Sequence, residues 1–252
     1  MAANDPNLGL KHRRVIARSL GVPEAAFGLL EQFFEPIDAL GSQPDRVVEM
    51  LKAGGVGKNA RVLDLGCGKG VIALRAAKVL RCACVGVDAF PGFLRTARHR
   101  AAQLGVAERC RFRVGLAQDV KGTFDAVVCL NVFPIERAIP LVRQRTKIGG
   151  VYIVDDAVLV GKGTGAPRAA DVRAWIGELG DRVLRERVET ASDVRRREHA
   201  NFRAIEAGVR QITERTARER KLLRACLAQK RAAIRMLQGP LRPACWLVER
   251  GH

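Results

Sequence analysis

The sequence predicts a doubly wound α/β domain, and three observations carry that prediction. From Arg61 onward, short β-rich runs alternate with helical stretches. These runs lack the polar alternation of half-exposed strands, and the first ends in a glycine-rich turn that opens a helix. Strands buried on both faces and separated by helices form a parallel sheet with helical layers above and below. The chain has 252 residues, 48% hydrophobic and 28% charged, with a formal net charge of +18. That is the composition of a globular chain, and it excludes a disordered one. No apolar stretch approaches the roughly 18–20 residues that span a bilayer, so no membrane insertion is expected. The opening MAANDPNLGLKHRR has no apolar core of the kind a secretory signal needs.

The elements follow in order. Up to Asn59 the chain reads as helical: Phe27, Leu30, Phe34, Ile37 and Leu40 recur at three- and four-residue steps, and Pro36 should kink or end that segment. Before it, Lys11, His12, Arg13, Arg14 and Arg18 form a basic leading face. A second helix opens at Pro44–Asp45, runs through Val47, Val48 and Leu51, and stops at Gly54–Gly55. Strands are expected at Arg61–Leu65, Cys84–Val87, Arg111–Val114, Ala126–Leu130 and Val151–Asp155. Between them lie helices near Gly70–Leu80, Phe93–Leu104 and Ile135–Arg145. Gly161–Pro167 is a connector, followed by a helix through Trp175 and late strands at Arg182–Val188 and Pro243–Glu249.

Between the late strands, Ile205, Val209, Ile212, Thr216, Glu219, Leu223, Cys226, Lys230, Ala233 and Leu237 follow a 4–3 spacing. No Gly or Pro occurs from Val209 to Gln238, which allows one helix of roughly 45 Å. An amphipathic cap on the core and an arm for homodimerisation both fit that pattern. The chain thus divides into an N-terminal helical cap over 1–59, an α/β core over 60–190, a helical insert over 191–239 and a final strand over 240–252.

Seven cysteines, with no CxxC pair and no His/Cys cluster at zinc spacing, point to reduced thiols in a cytoplasmic protein without a metal site. The 44 cations comprise 34 Arg and 10 Lys. An Arg bias of this kind arises from GC-rich coding as readily as from an anionic partner, so charge alone does not specify nucleic acid.

Chemistry concentrates in VLDLGCGKG, Val62–Gly70. Glycines at 66, 68 and 70 permit positive φ and leave no side chain between backbone and ligand, and N–H groups at the helix start favour polar ligand groups. The dinucleotide pattern G-x-G-x-x-G would need Gly at 71, where Val71 stands. Asp64 precedes the turn, and Asp88 closes the next strand 24 positions later. An acid in that place can accept both hydrogens of a ribose diol. Either acid alone could be a cap or a strand-end carboxylate; the pair around the turn suits a nucleoside ligand without a pyrophosphate.

VLDLGCGKG, GVDAF, FDAVVCLNVF and RTKIGGVYIVDD together resemble the class I S-adenosylmethionine-dependent methyltransferases over about Asp45 to Val158. The similarity is greatest to the small-molecule group that includes quinone- and sterol-type enzymes. The resemblance implies a Rossmann-like seven-stranded sheet whose last strand is inserted antiparallel, and S-adenosylmethionine as cofactor. It implies that Asp64, Gly66, Cys67, Gly68 and Gly70 border the methionine half. Asp88 would hold the ribose, with Ala89 against the adenine, Ala117 and Gln118 in the adenine loop, and Asn131 near the transferable methyl. Leu116 stands where the family often has Asp.

A small-molecule acceptor is expected, roofed by the helices around Phe27 to Phe34 and by the insert. Deleting Asn201–Gln238 should then abolish methylation and spare cofactor affinity. An RNA methyltransferase is the alternative, and a non-catalytic cofactor-binding protein the second. Asn131-Val-Phe-Pro134 lacks the Pro-Pro-aromatic that follows this Asn in base-amine methyltransferases, and 5% aromatic content offers few stacking platforms. Nucleic acid is therefore the less favoured partner. His12, His99 and His199 lie in basic helical runs and receive no catalytic role. Asp155 and Asp156 end the fifth strand, where at least one is expected to cap or face solvent.

Overall fold

The computed structural model describes residues 13–14, 16–17, 20–39, 43–211 and 216–252. Lys11, His12, Arg18, Leu40 and Ile212 lie outside the described residues. A seven-stranded sheet forms the centre: β1 (Arg61–Leu65), β2 (Ala83–Asp88), β3 (Cys110–Val114), β4 (Phe124–Cys129), β5 (Thr146–Leu159), β6 (Arg182–Val188) and β7 (Leu241–Glu249). Their spatial order is β3-β2-β1-β4-β5-β7-β6, and β7 runs antiparallel to both of its neighbours. The order reverses beside β1, between β2 and β4. In open α/β sheets this switch point is where crevices for ligands form.

Side chains alternate across the sheet and build two cores. Val62, Val128, Ile153 and Leu247 face one layer, made by α2 (Pro44–Ala53), α3 (Val71–Leu80) and α4 (Pro91–Gln103). Leu63, Leu65, Val127, Tyr152 and Trp246 face the other, made by α5 (Ile135–Arg145) and α6 (Ala169–Glu178). Pro at the first turn of α2 and α4 fits there because that N–H needs no helical partner.

Strand β5 is much longer than the Val151–Asp155 expected from sequence. Gly149–Gly150 interrupts the apolar run and reads as a turn, yet the chain stays in the sheet through an irregularity between Phe124 and Ala126. A Cβ at Gly150 would sit 2.7 Å from the Asp125 carbonyl oxygen, so only glycine lets the two strands close there.

A third core lies over the carboxyl ends of the strands. The 3₁₀ turn Glu24–Leu29 and α1 (Leu30–Phe33) bring Phe27, Leu30, Phe33, Phe34 and Ile37 against Phe90 and Phe93. Phe27 stacks on Phe90 with ring centroids 5.1 Å apart. The chain turns after Phe33, ahead of Pro36, as proline demands. The same core takes Ile205 from α7 (Ala191–Gln211) and Leu223 and Cys226 from α8 (Ala217–Gln238).

The single long helix expected across Val209–Gln238 is therefore two helices. Thr216 starts the second one: its hydroxyl accepts from Glu219 N, and the Glu219 carboxylate accepts from Thr216 N in return. This reciprocal capping box opens a new helix without Gly or Pro. The two helices run back on each other, with Arg231 meeting Glu206 at 3.4 Å and Gln238 meeting His199 at 2.9 Å.

Candidate functional site

The glycine loop after β1 is bent over the end of β2. Gly66 N and Cys67 N both donate to the Val87 carbonyl, at 2.8 and 3.1 Å. Gly68 N donates to Asp88 Oδ2 at 2.8 Å, and Phe90 N to Asp88 Oδ1 at 2.9 Å. Asp88 thus ties the first loop to the second, and the Ala89 backbone bonds the same carboxylate. Gly66, Gly68 and Gly70 all have positive φ. At Gly66 a Cβ would come within 2.3 Å of Val132 Cγ2, because the loops after β1 and β4 meet there.

These loops enclose a cleft lined by Asp64, Gly66, Cys67, Gly68, Asp88, Ala89, Ala117, Gln118 and Asn131. Nine of the ten residues expected from sequence thus come together. Gly70 does not line it: its bare Cα faces Ala97 and the Phe112 ring, each 2.9 Å from where a Cβ would be. Its function is to seat α3 against α4 and β3. Cys67 contributes backbone only, since its sulfur packs beside Gly86. In the third loop, Gly115 N holds the Asp88 carbonyl at 3.0 Å and Arg145 Nη2 holds the Gln118 carbonyl at 2.7 Å.

Asp64 is 2% exposed, and its Oδ2 has no hydrogen-bond partner. Burial pushes its carboxyl up to about 7, against the opposing hydrogen bond from the Ala73 backbone. Burial likewise pushes Asp88 up to about 6, opposed by the N–H groups of Phe90 and Gly68. A buried acid with a free oxygen on the wall of a cleft can take a cationic ligand group. The same shifts set the pH dependence of the empty protein. Both acids hold protons more tightly folded than unfolded, so this part of the stability is full below pH 4. It is lost progressively as pH rises from about 4 to about 7, between the unfolded and the folded values. Denaturation curves of the ligand-free protein should show stability falling across that window, and Asp64→Asn should flatten the fall.

Lys69 was not singled out by sequence reasoning. Its ammonium is buried and donates to the carbonyls of Phe34, Glu35 and Ile37 at 3.1, 2.6 and 2.8 Å. The N-terminal cap is thereby pinned to the glycine loop. Nothing in the sequence separates such a lysine from a solvated one.

A second chamber of about 630 Å³ adjoins the cleft. The two share Leu20, Leu130, Asn131, Val132, Phe133 and Arg137. Asn131 takes a left-handed conformation, φ 57°, which Asn tolerates better than most residues, and donates its N–H to Asp155 Oδ1 at 2.7 Å. Asp156 accepts from Ile135 N at 2.8 Å and so caps α5, as expected of one of this pair. The far wall of the chamber comes from α7 and α8 through Arg197, Glu198, Lys230 and Leu237.

Residues 57–204, more than half of the chain, match the profile of a methyltransferase domain. The chain belongs to that family. This methyltransferase is similar to the ribosomal protein L11 methyltransferase of Pasteurella multocida (strain Pm70), 36% identical over 93 residues. That match covers 36% of the chain and 31% of the relative, so the chain spans about a third of the length of the curated relatives it matches. Its fold is that of a SAM-dependent methyltransferase from Thiobacillus denitrificans in complex with S-adenosyl-L-homocysteine. The TM-score is 0.73 at 19% identity, covering 88% of this chain and 98% of the other. Coclaurine N-methyltransferase bound to N-methylheliamine and S-adenosylhomocysteine is also similar, with TM-score 0.69 at 11% identity over 96% and 88% of the two chains. The domain has the class I methyltransferase fold, and both of these similar structures hold S-adenosylhomocysteine. Among the described residues, no helix is long and apolar enough to cross a membrane.

Proposed function

We propose that the methyltransferase transfers the methyl group of S-adenosylmethionine to a small molecule held in the second chamber. In this reading Asp64 Oδ2 takes the cofactor's ammonium, which supplies the partner that the buried oxygen lacks. Asp88 accepts from the ribose hydroxyls, Ala89 packs on the adenine, and Ala117 and Gln118 line the adenine end. Asn131 stands at the junction of the two spaces, where the methyl is handed over. The bound cofactor supplies an electrophilic methyl on a sulfonium, so the protein's own task is alignment and exclusion of water.

The observation that carries the small-molecule reading is the chamber itself. Its roof comes from the N-terminal cap and from residues 191–239, both outside the core. Apolar side chains of the chamber, including Phe34, Met50, Val132 and Leu237, sit beside its charged wall. A cavity of this size admits a metabolite. The insert acts here as a cap, with Ile205, Leu223 and Cys226 buried in the third core. The similarity to ribosomal protein L11 methyltransferases covers about a third of those proteins and speaks to the shared cofactor domain.

Deletion of Asn201–Gln238 is a blunt test, because Ile205, Leu223 and Cys226 share a core with Phe90 and Phe93 of the cleft wall. Ala157→Phe is sharper, since Ala157 lines the chamber and not the cleft. With radiolabelled S-adenosylmethionine and a fractionated bacterial extract, label should enter the low-mass filtrate. The variant should lose that labelling while binding S-adenosylhomocysteine within about twofold of the parent. Label appearing in RNA or protein, or undiminished labelling by the variant, would overturn the reading.

A further inference from the structure

The chamber holds four carboxylates, and the charges around them are nearly all matched. Glu189 accepts from Gln43 at 2.6 Å, pairs with Arg197, and lies 3.8 Å from Arg46. Glu198 accepts from Arg197 Nε at 3.1 Å and faces Lys230 at 3.9 Å. Asp156 spends one oxygen on Ile135 N and the other on Ala157 N at 2.7 Å. Asp155 is the exception among the described residues: Oδ1 takes the Asn131 N–H, and no partner is found for Oδ2.

Its place in the chain matters as much as its free oxygen. Asp155 lies on β5 opposite Cys245 of β7, and its one hydrogen bond holds the residue that borders both the cleft and the chamber. A carboxylate there is next to the point where the acceptor must meet the methyl. We propose that Asp155 is the general base of the methyltransferase, and that the acceptor's nucleophile is a hydroxyl or an amine with a proton to lose. This rests on the small-molecule reading above and adds to it the chemistry of the acceptor.

The step balances on those groups alone. The acceptor oxygen or nitrogen gains the methyl carbon, the carbon–sulfur electron pair stays on sulfur, and the acceptor's proton passes to Asp155 Oδ2. Burial pushes the Asp155 carboxyl up to about 7; Asp156 and Glu189 add to the rise, while the Asn131 N–H and Arg197 oppose it. Arg46 on α2, Arg137 on α5, Arg187 on β6 and Lys230 on α8 also face the chamber and favour the ionised form. A base poised near neutrality is matched to proton transfer at that pH.

Asp155→Asn is the variant of choice, because its amide oxygen can still accept the Asn131 N–H. Carbon-13 labelled aspartate reads the acid directly in the full chain, with the resonance assigned by its absence in the variant. The expected result is a titration near pH 7 in the parent. Labelling of the low-mass filtrate by the variant should be slower by about 100- to 10,000-fold, with S-adenosylhomocysteine affinity unchanged within about twofold. The acid limb of the parent's pH–rate profile should vanish with it. The methyl in the product should sit on an oxygen or nitrogen that lost a proton. Titration below pH 5, variant rates within about threefold of the parent, or a product methylated on a thioether or tertiary amine would each overturn the role of Asp155. Label confined to macromolecules would instead remove the small-molecule reading on which it stands.

Discussion

Replacing Lys69 by methionine is expected to lower stability by about 3 kcal/mol. The substitution keeps the apolar stem and removes the ammonium that Phe34, Glu35 and Ile37 share. The Phe34 carbonyl retains a donor in Ile37 N at 3.2 Å. The Glu35 and Ile37 carbonyls keep no other donor among the described residues, and each such loss costs about 1–3 kcal/mol. Against this stands the cost of burying the ammonium, which lowers the Lys69 pKa and is relieved in the variant. The net loss should appear as a lower denaturant midpoint. Because the lysine belongs to the glycine loop, affinity for S-adenosylhomocysteine should fall with it. A variant as stable as the parent within about 0.5 kcal/mol would mean that the cap is held by the phenylalanine cluster alone.

Asp88→Ala is expected to weaken cofactor binding by about 1.5–3 kcal/mol, the worth of hydrogen bonds to a charged acceptor. In calorimetry that is about a 10- to 150-fold rise in Kd. The loss has two sources. The ribose hydroxyls lose their acceptor, and Gly68 N and Phe90 N lose theirs, which loosens the loops on both sides of the cleft. Asp64 and Asp88 both carry raised pKa values in the empty protein, and binding of a cation favours their ionised forms. Affinity for the cofactor should therefore rise between pH 6 and 7.5 in the parent, and the slope should diminish in Asp88→Ala. An unchanged Kd in the variant would refute the ribose role.

The core elements were legible because each is encoded locally. Arg61–Leu65, Arg182–Val188 and Ile135–Arg145 appear with the bounds that their apolar runs and breakers imply. The candidate cleft was legible for the same reason. Its glycines and acids sit at strand ends, and a parallel sheet brings strand ends together. Gly70 shows the limit: spacing places it in the loop but does not reveal that it serves the packing of Phe112. The break between α7 and α8 had a readable signal, Thr216 three residues before Glu219, masked by the regular seam that runs through it. Lys69 and Asp155 were not legible as site residues. Lys69 acquires its meaning from carbonyls 32 to 35 positions away. Asp155 acquires its own from acids on other elements that are already paired, which only the folded chain displays.

For an acceptor in the chamber to reach the methyl, the cleft and the chamber must be two halves of one active site. Crystals of the methyltransferase grown with S-adenosylhomocysteine test this most directly. The amino group should lie against Asp64 Oδ2 and the ribose on Asp88, with the sulfur turned toward the chamber at Asn131. A sulfur facing away from the chamber, or a nucleoside seated elsewhere than on Asp88, would contradict it.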